Sequence, residues 1–311
     1  MSNAFLSCDW GTSSFRLRLV RTGDGEVLAE TRAGKGIAAI NNEWLNSGKP
    51  SSERVSFYQQ QLMAAIADLR TATSGLPVII SGMASSSVGM VELPYGNIPY
   101  SLTEDRLPVK QIHASDIFPH EIILVSGLKT STDVMRGEET MLLGCGLLDK
   151  DEWLIIFPGT HSKHAVIKKG ILTDFRTYMT GEIFDLLTTK SLLSRSVSLG
   201  EIEAGSNSFS NGVKEGKDGN LLNSIFHVRS RQLLANTKPV ENYHYLSGLV
   251  IGYELSSIQQ TSQNILLASS NRLGVLYKQA LEIITGKSPE YRDADKLLLE
   301  GHQKLAGQIL Q

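Results

Sequence analysis

Short apolar runs separated by glycine-centred turns open the chain. Phe5 to Asp9, Phe15 to Arg21 and Val27 to Arg32 cluster or alternate apolar side chains around Gly11-Thr-Ser13 and Gly23-Asp-Gly25, which predicts a meander of antiparallel strands. The period then lengthens. Between Arg54 and Leu69, residues Val55, Tyr58, Leu62, Ala65, Ile66 and Leu69 fall on one helical stripe. Val78-Ile-Ile80 follows as a buried strand ending in Ser81-Gly82, and Ile122 to Val125 repeats that signature. Thr140 to Leu148 reads as a helix. After it the opening plan recurs, with strands expected near Trp153 to Phe157, His164 to Lys168 and Ile171 to Phe175, then a helix from Glu182. Leu246 to Leu255 predicts a helix whose Gly248 and Gly252 allow close packing, and Ile265 to Ala268 a strand before a helix from Leu273 to Ile284. Lys214 to Gly219 and Leu234 to Glu241 read as surface loops, the first too polar to bury.

A strand meander followed by alternating helices and strands thus occurs twice. No identity between the halves supports this, so the duplication rests on element order alone. The length agrees, since 311 residues suffice for two cores. A net charge of -2 gives no support for a nucleic-acid or anionic-membrane surface, so the expected partners are small molecules. Cys8 and Cys145, far apart, build neither a disulfide framework nor a metal knuckle. No apolar run reaches the roughly 18 residues of a spanning helix, and the first residues lack a signal-peptide pattern. The expectation is a cytoplasmic protein with reduced thiols and no membrane contact.

The turns carry the candidate chemistry. In Cys8-Asp-Trp-Gly-Thr-Ser-Ser-Phe15 the backbone N–H groups after Gly11 and the Thr12 and Ser13 hydroxyls can converge on an anion, and Asp9 can hold Mg2+. Alone, this reads slightly better as a plain hairpin turn without a ligand. Phe157-Pro-Gly-Thr-His-Ser-Lys163 occupies the matching turn of the second half, with Gly159, Thr160, Ser162 and Lys163 suited to phosphate and His161 supporting the turn. Two matching anion turns define a cleft between the halves. Asp133 to Gly144 crowds Arg136, Glu138 and Glu139 into one turn. Helix capping explains one carboxylate, whereas the set suits a general base beside a clamp for a substrate carboxylate. His161 and His164 face opposite sides of a strand, without a third metal ligand. Gly286-Lys-Ser288 resembles the end of a Walker loop, but Leu281 stands where the leading glycine belongs.

These segments together resemble the 2-keto-3-deoxygalactonokinase family of the sugar kinase/Hsp70/actin superfamily, over nearly the whole chain. Asp9-Trp-Gly-Thr-Ser13 is similar to its first phosphate motif, Ile80 to Ser85 with Val88-Gly89 and Pro94-Tyr95 to its substrate side, and Val134 to Thr140 to its signature. Pro158 to Lys163, Asp174 to Thr177, Met179 to Glu182 and Leu246 to Leu249 continue the match in order. The resemblance implies an α/β fold of two ribonuclease H-like, actin/hexokinase-type domains, each a mixed five-stranded sheet with helices. The expected lobes are 1–131 on the sugar-acid side and 132–311 on the ATP side, with hinges near 128 to 134 and before the C-terminal helices.

The implied activity is ATP- and Mg2+-dependent phosphorylation of 2-dehydro-3-deoxy-D-galactonate at its 6-hydroxyl, with a homodimer left open. Glu138, Asp9 and Lys163 are the expected catalytic residues. By similarity to the glycerol-kinase group the base falls on Glu138, with Glu139 and Asp133 as alternatives. Gly11, Thr12, Ser13, Gly159, Thr160, His161, Ser162, Gly181 and Gly248 are expected at the nucleotide, and Ser81, Met83, Ser85, Arg136 and Glu139 at the sugar acid. The chain departs from the family in carrying His164 after the lysine, and serine for glycine in Ile265 to Asn271. Other readings are a kinase of another sugar acid, a phosphate hydrolase, or a non-catalytic sugar-acid sensor. A repressor-type sensor would carry a DNA-binding segment, for which the immediate first strand leaves no room.

Overall fold

The computed structural model describes residues 3–146, 151–201, 207–270 and 272–309. The end of the helix expected at Thr140 to Leu148, and Asn271, lie outside these residues. The chain divides into two compact units, one of residues 1–149, 170–173 and 294–311, the other of 150–169 and 174–293.

In the first unit, β1 (Ala4–Trp10), β2 (Phe15–Arg21) and β3 (Val27–Thr31) form the expected meander, followed by α1 (Ile37–Asn46), α2 (Arg54–Asp68) and β4 (Val78–Gly82). Short strands β5 (Gly96–Asn97), β6 (Tyr100–Ser101), β7 (Val109–Ile112), β8 (Ile122–Val125), β9 (Leu128–Lys129) and β10 (Val134–Met135) lead to α3 (Glu138–Cys145). The sheet order is β3-β2-β1-β4-β8-β7, with β1 antiparallel to β2 and parallel to β4. The edge strand β7 brings this sheet to six strands, one more than expected.

Alternation along β1 decides what each face meets. Leu6, Cys8 and Trp10 point into a core with Ile37 and Ile40 of α1 and Tyr58 and Leu62 of α2. Trp10 meets Phe15 and Tyr58 edge-on, with centroids at 5.3 and 6.0 Å. Ser7 and Asp9 therefore point the other way. Register pairs Ser7 with Arg18, and Asp9 with both Arg16 and Ser81, so one polar face spans three strands.

The second unit contains β11 (Glu152–Phe157), β12 (Ser162–Lys168), most of β13 (Ile171–Tyr178), α4 (Thr180–Thr189), α5 (Ser208–Lys217), α6 (Leu221–Ala235), α7 (Pro239–Leu255), β14 (Asn264–Ala268), α8 (Arg272–Thr285) and β15 (Glu290–Arg292). Its strands run β13-β12-β11-β14-β15, antiparallel between β11 and β12 and parallel between β11 and β14. That repeats the order β3-β2-β1-β4-β8 of the first unit. The inferred duplication is thus present in the topology.

Closely packed helices account for the main departures from expectation. Lys214 to Lys217 belong to α5 rather than to a loop. Cβ atoms built on Gly212 and Gly216 would fall 2.0 and 2.1 Å from the Tyr245 and Leu249 carbonyls of α7. Gly248 and Gly252 return the contact toward Phe209 and Val213, at 2.1 and 2.4 Å. Gly248 is therefore a packing residue, and its expected place at the nucleotide is withdrawn.

The last helix, α9 (Ala294–Ile309), groups with the first unit and crosses α3. A Cβ on Gly144 would lie 1.9 Å from the Leu297 carbonyl, and one on Gly301 2.0 Å from that of Thr140. Both helices group with the first unit, whereas the expected boundary at 131 places both in the second lobe. Among the described residues no helix is long and apolar enough to cross a membrane. Gly144→Ala should lower unfolding stability by about 1–3 kcal/mol, because backbone rather than a flexible side chain must give way. Urea denaturation of parent and variant measures it, and an unchanged midpoint would contradict the contact.

Candidate active site

Two glycines shape the acidic end of the first unit. Gly82, at the end of β4, has φ 96°, and Gly137, just before α3, has φ 107°. A Cβ on Gly82 would press to 2.7 Å on the Trp10 carbonyl, and one on Gly137 would rest 3.6 Å from the Gly82 Cα, so the two turns lie against each other. The carboxylates that open α3 reach back toward the preceding backbone. The Arg136 N–H donates to Glu138 Oε2 at 3.1 Å, and the Gly137 N–H donates to Glu139 Oε2 at 2.7 Å.

The two acids differ in their surroundings. Glu139 is buried, and its other oxygen accepts from the Thr140 hydroxyl at 3.2 Å. Burial first, and then the Glu138 charge, push its pKa up to about 8. Its expected contact with substrate is corrected to an internal role. Glu138 is half-buried on the same turn. Asp133 lies in the turn between β9 and β10, where its carboxylate accepts from the Val134 N–H.

Asp9 sits at the end of β1, half-buried. Desolvation raises its pKa, opposed by Arg16 and Arg18 and reinforced by Asp295 and Glu138. Arg16 pairs with Asp295. Among the described residues no group of three His, Cys, Asp or Glu side chains could hold a metal alone. A single carboxylate does fit Mg2+ when phosphate oxygens and water complete the shell. In the following turn, the Ile37 and Ala38 N–H groups that open α1 donate to the Gly11 and Thr12 carbonyls at 3.0 Å, leaving Thr12 and Ser13 exposed.

Arg136 runs along the segment from Ser85 to Tyr95. Its guanidinium stacks 4.2 Å from the Tyr95 ring centroid and donates to Ser85 Oγ at 2.5 Å and to the Leu93 carbonyl at 3.4 Å. Its buried Nε has no hydrogen-bond partner among the described residues. Met83 is half-buried nearby in sequence. Ser81 is buried, with Oγ 2.7 Å from Thr140 Oγ1 and 2.9 Å from His302 Nε2, so it ties strands to helices and offers no ligand-facing surface.

In the second unit the β11–β12 hairpin carries Gly159 to Lys163. Thr160 and His161 are exposed at its tip, and His161 Nε2 lies 2.5 Å from Glu182 Oε2. Lys163 is buried, with its Nζ folded back to the His161 carbonyl at 3.2 Å. The start of α4 closes on the turn. A Cβ on Gly181 would meet the Gly159 carbonyl at 2.6 Å, and the Glu182 N–H donates to the Thr160 carbonyl. Beside Gly159, Thr180 and Gly181 opens a cavity of about 420 Å³ walled by apolar residues including Phe184, Tyr243, Val250, Ile251, Leu273 and Leu276. Arg272, Ser247 and His244 are polar residues on its wall. That size and lining suit a small aromatic ligand.

Sequence patterns do not reveal this cavity. Its walls come from α4, the segment before α5, α7 and α8, and no single stretch carries a motif. Arg272, directly after the stretch Ile265 to Asn271 in which the chain departs from the family, is the nearest sequence landmark. The buried partners Glu254, Tyr277 and His302 were also missed, because each reads as an ordinary helical position.

Residues 9–305 match the 2-keto-3-deoxy-galactonokinase family. The chain is 34% identical over 310 residues to a probable 2-dehydro-3-deoxygalactonokinase of Rhizobium meliloti (strain 1021), covering 96% of this chain and 94% of that one. It is 28% identical to the 2-dehydro-3-deoxygalactonokinase of Escherichia coli (strain K12), covering 91% and 90%. A crystal structure of a candidate 2-dehydro-3-deoxygalactonokinase from Sinorhizobium meliloti is similar at a TM-score of 0.84 and 32% identity, covering 98% and 96%. Component A of (R)-2-hydroxyglutaryl-CoA dehydratase from Acidaminococcus fermentans is similar in fold alone, with a TM-score of 0.52 at 11% identity over the full length of both chains.

The polar face beneath Asp9 has its own pH signature. His302 is fully buried between Ser7 Oγ at 2.7 Å and Ser81 Oγ at 2.9 Å, and burial, aided by the Arg18 charge, lowers its pKa from 6.5 to about 3. The unfolded chain then binds a proton below pH 6.5 that the folded chain refuses. Stability is lost as pH falls from 6.5 toward 3. Between pH 7 and pH 5 the parent should lose about 2 kcal/mol more than His302→Gln. Thermal or urea unfolding across that range reads the difference, and parallel curves would contradict a neutral buried imidazole.

Proposed function

The chain belongs to the 2-keto-3-deoxy-galactonokinase family, and we propose that it transfers a phosphoryl group from ATP to the 6-hydroxyl of 2-dehydro-3-deoxy-D-galactonate in galactonate breakdown. The observation that carries the reading is the family match over residues 9–305, within which the anion turns, the Arg136 cluster and the α3 carboxylates all fall. The expected setting is the cytoplasm.

Phosphoryl transfer asks a protein mainly for in-line positioning and charge neutralisation. On this reading the second unit takes the nucleotide. The apolar cavity would receive the base, and Gly159 to His161 with Lys163 would face its phosphates, the buried Ser162 hydroxyl being turned inward to Tyr277. In the first unit Thr12 and Ser13 would bind phosphate oxygens, and Asp9 would hold Mg2+, which when bound neutralises phosphate charge. Arg136 would clamp the substrate carboxylate. Its stacking on Tyr95 fixes the guanidinium plane, and a carboxylate would satisfy the orphaned Nε. Glu138 would take the proton from the attacking hydroxyl. It is favoured over Glu139 because the latter is buried, internally bonded at both oxygens and largely protonated at neutral pH.

The test is ADP release with ATP and 2-dehydro-3-deoxy-D-galactonate, its gluconate-derived epimer, simple aldonates, or no acceptor. Turnover should require a 2-keto-3-deoxy acid and favour the galactonate form. Acceptor-independent ADP release would instead make the protein a hydrolase. In the same assay Glu138→Gln should lower kcat by about 10²- to 10⁴-fold while both KM values stay near those of the parent. If Glu138→Gln turns over normally and Asp133→Asn does not, the base is Asp133.

Arg136→Met should raise the sugar-acid KM by roughly tenfold or more, with the ATP KM little changed. Equal effects on both constants would leave Arg136 a structural residue.

A further inference from the structure

One buried carboxylate behind the second unit's hairpin gathers three elements. Glu254, 1% exposed near the end of α7, accepts on Oε2 from the Tyr277 hydroxyl of α8 at 2.5 Å and from the Thr180 hydroxyl that opens α4. Its Oε1 lies 2.8 Å from His164 Nε2 on β12. The Tyr277 hydroxyl also lies 2.8 Å from Ser162 Oγ, and Ser162 Oγ lies 3.3 Å from the Gly159 N–H.

The chain of bonds has a direction. A Glu254 carboxylate has no proton to give, so Tyr277 and Thr180 donate to it. The Tyr277 oxygen then accepts from Ser162, and Ser162 keeps lone pairs for the Gly159 N–H. Burial and the neighbouring Glu254 raise the Tyr277 pKa well above its ordinary value, which keeps the phenol a donor. Every link has a defined donor and acceptor from α7 to the hairpin. Tyr277, itself 1% exposed, is also among the residues around the apolar cavity, as are Gly159 and Thr180.

We propose that Tyr277, anchored by Glu254, is a positioning residue that couples a nucleobase seated in the cavity to the Gly159–Lys163 hairpin, setting that hairpin in register with the phosphates of the same nucleotide. This rests on the nucleotide reading of the second unit. The buried ring backs the cavity wall, and the hydroxyl holds the turn. Tyr277→Phe separates the two roles: it keeps the ring but leaves the Ser162 hydroxyl without its acceptor and Glu254 one donor short.

The experiment is isothermal titration of the full chain with adenosine and with Mg2+-ATP, for the parent, Tyr277→Phe and Ser162→Ala. For both variants the adenosine Kd should stay within about twofold of the parent. The ATP Kd should rise by about tenfold, the scale of one lost hydrogen bond to an ordered group. The ATP KM should rise in parallel while the sugar-acid KM holds. Equal weakening toward adenosine and ATP would overturn the inference, since Tyr277 would then be a wall or fold support only. An unchanged ATP Kd would overturn it as well. If Tyr277→Phe does not fold, Ser162→Ala cuts the same chain at its other end and is judged by the same two ratios. A parent that binds adenosine but not ATP would remove the nucleotide reading itself, a result distinct from a parent that binds both and variants that lose neither.

Discussion

Burial of the polar side of β1 is the constraint on which the first unit depends. Alternation gives one face Leu6, Cys8 and Trp10 and the other Ser7 and Asp9, and the central position of β1 encloses both. A buried hydroxyl without a partner costs about 1–3 kcal/mol, so this face needs its own set of donors and acceptors. His302 supplies them to Ser7 and Ser81, and Thr140 to Ser81. Both come from helices that cross where Gly144 and Gly301 let their backbones touch. Asp9 stands at the end of this satisfied strip, on a strand that cannot shift without breaking it.

The second unit repeats the strand order with a different solution. Its buried polar hub is the carboxylate Glu254, fed by Tyr277, Thr180 and His164. Its close helix crossing is between α5 and α7, through Gly212, Gly216, Gly248 and Gly252. In both units a glycine-mediated helix crossing accompanies polar side chains that reach from helices to the strands flanking the glycine-hydroxyl turns. What the halves share is therefore topology and a physical arrangement, with little side-chain identity.

Much of this was legible where one segment meets one environment. The strand meanders, α2, β4, β8 and the glycine pair of α7 follow from period and turn residues. The glycine-hydroxyl turns were visible because the residues that make them are adjacent in sequence. Reading failed where the environment is assembled from distant parts. Lys214 to Lys217 looks too polar to bury, yet the glycine between them packs on α7 while the lysines reach solvent. In α6, exposed Leu222, Phe226 and Leu233 blur the apolar stripe. Gly248 sits within a family-like motif, and only the path of α5 shows what its missing side chain is for. Glu139 beside Glu138 is the sharpest case, because adjacent identical residues differ by a turn of about 100° around the helix, and one faces the interior.

The grouping of residues 294–311 with the first 149 has a consequence for how the protein is made. A ribosome releases β1, β4 and α3 early, with Ser7 and Ser81 still lacking His302. Their partner arrives only after the whole second unit has been synthesised. That unit consists of 150–169 and 174–293, which together hold its glycine crossing and its Glu254 hub, so it can close while α9 is still being made. The half that begins first is completed last, and during that interval the Ser7 and Ser81 hydroxyls wait for the imidazole that pairs them.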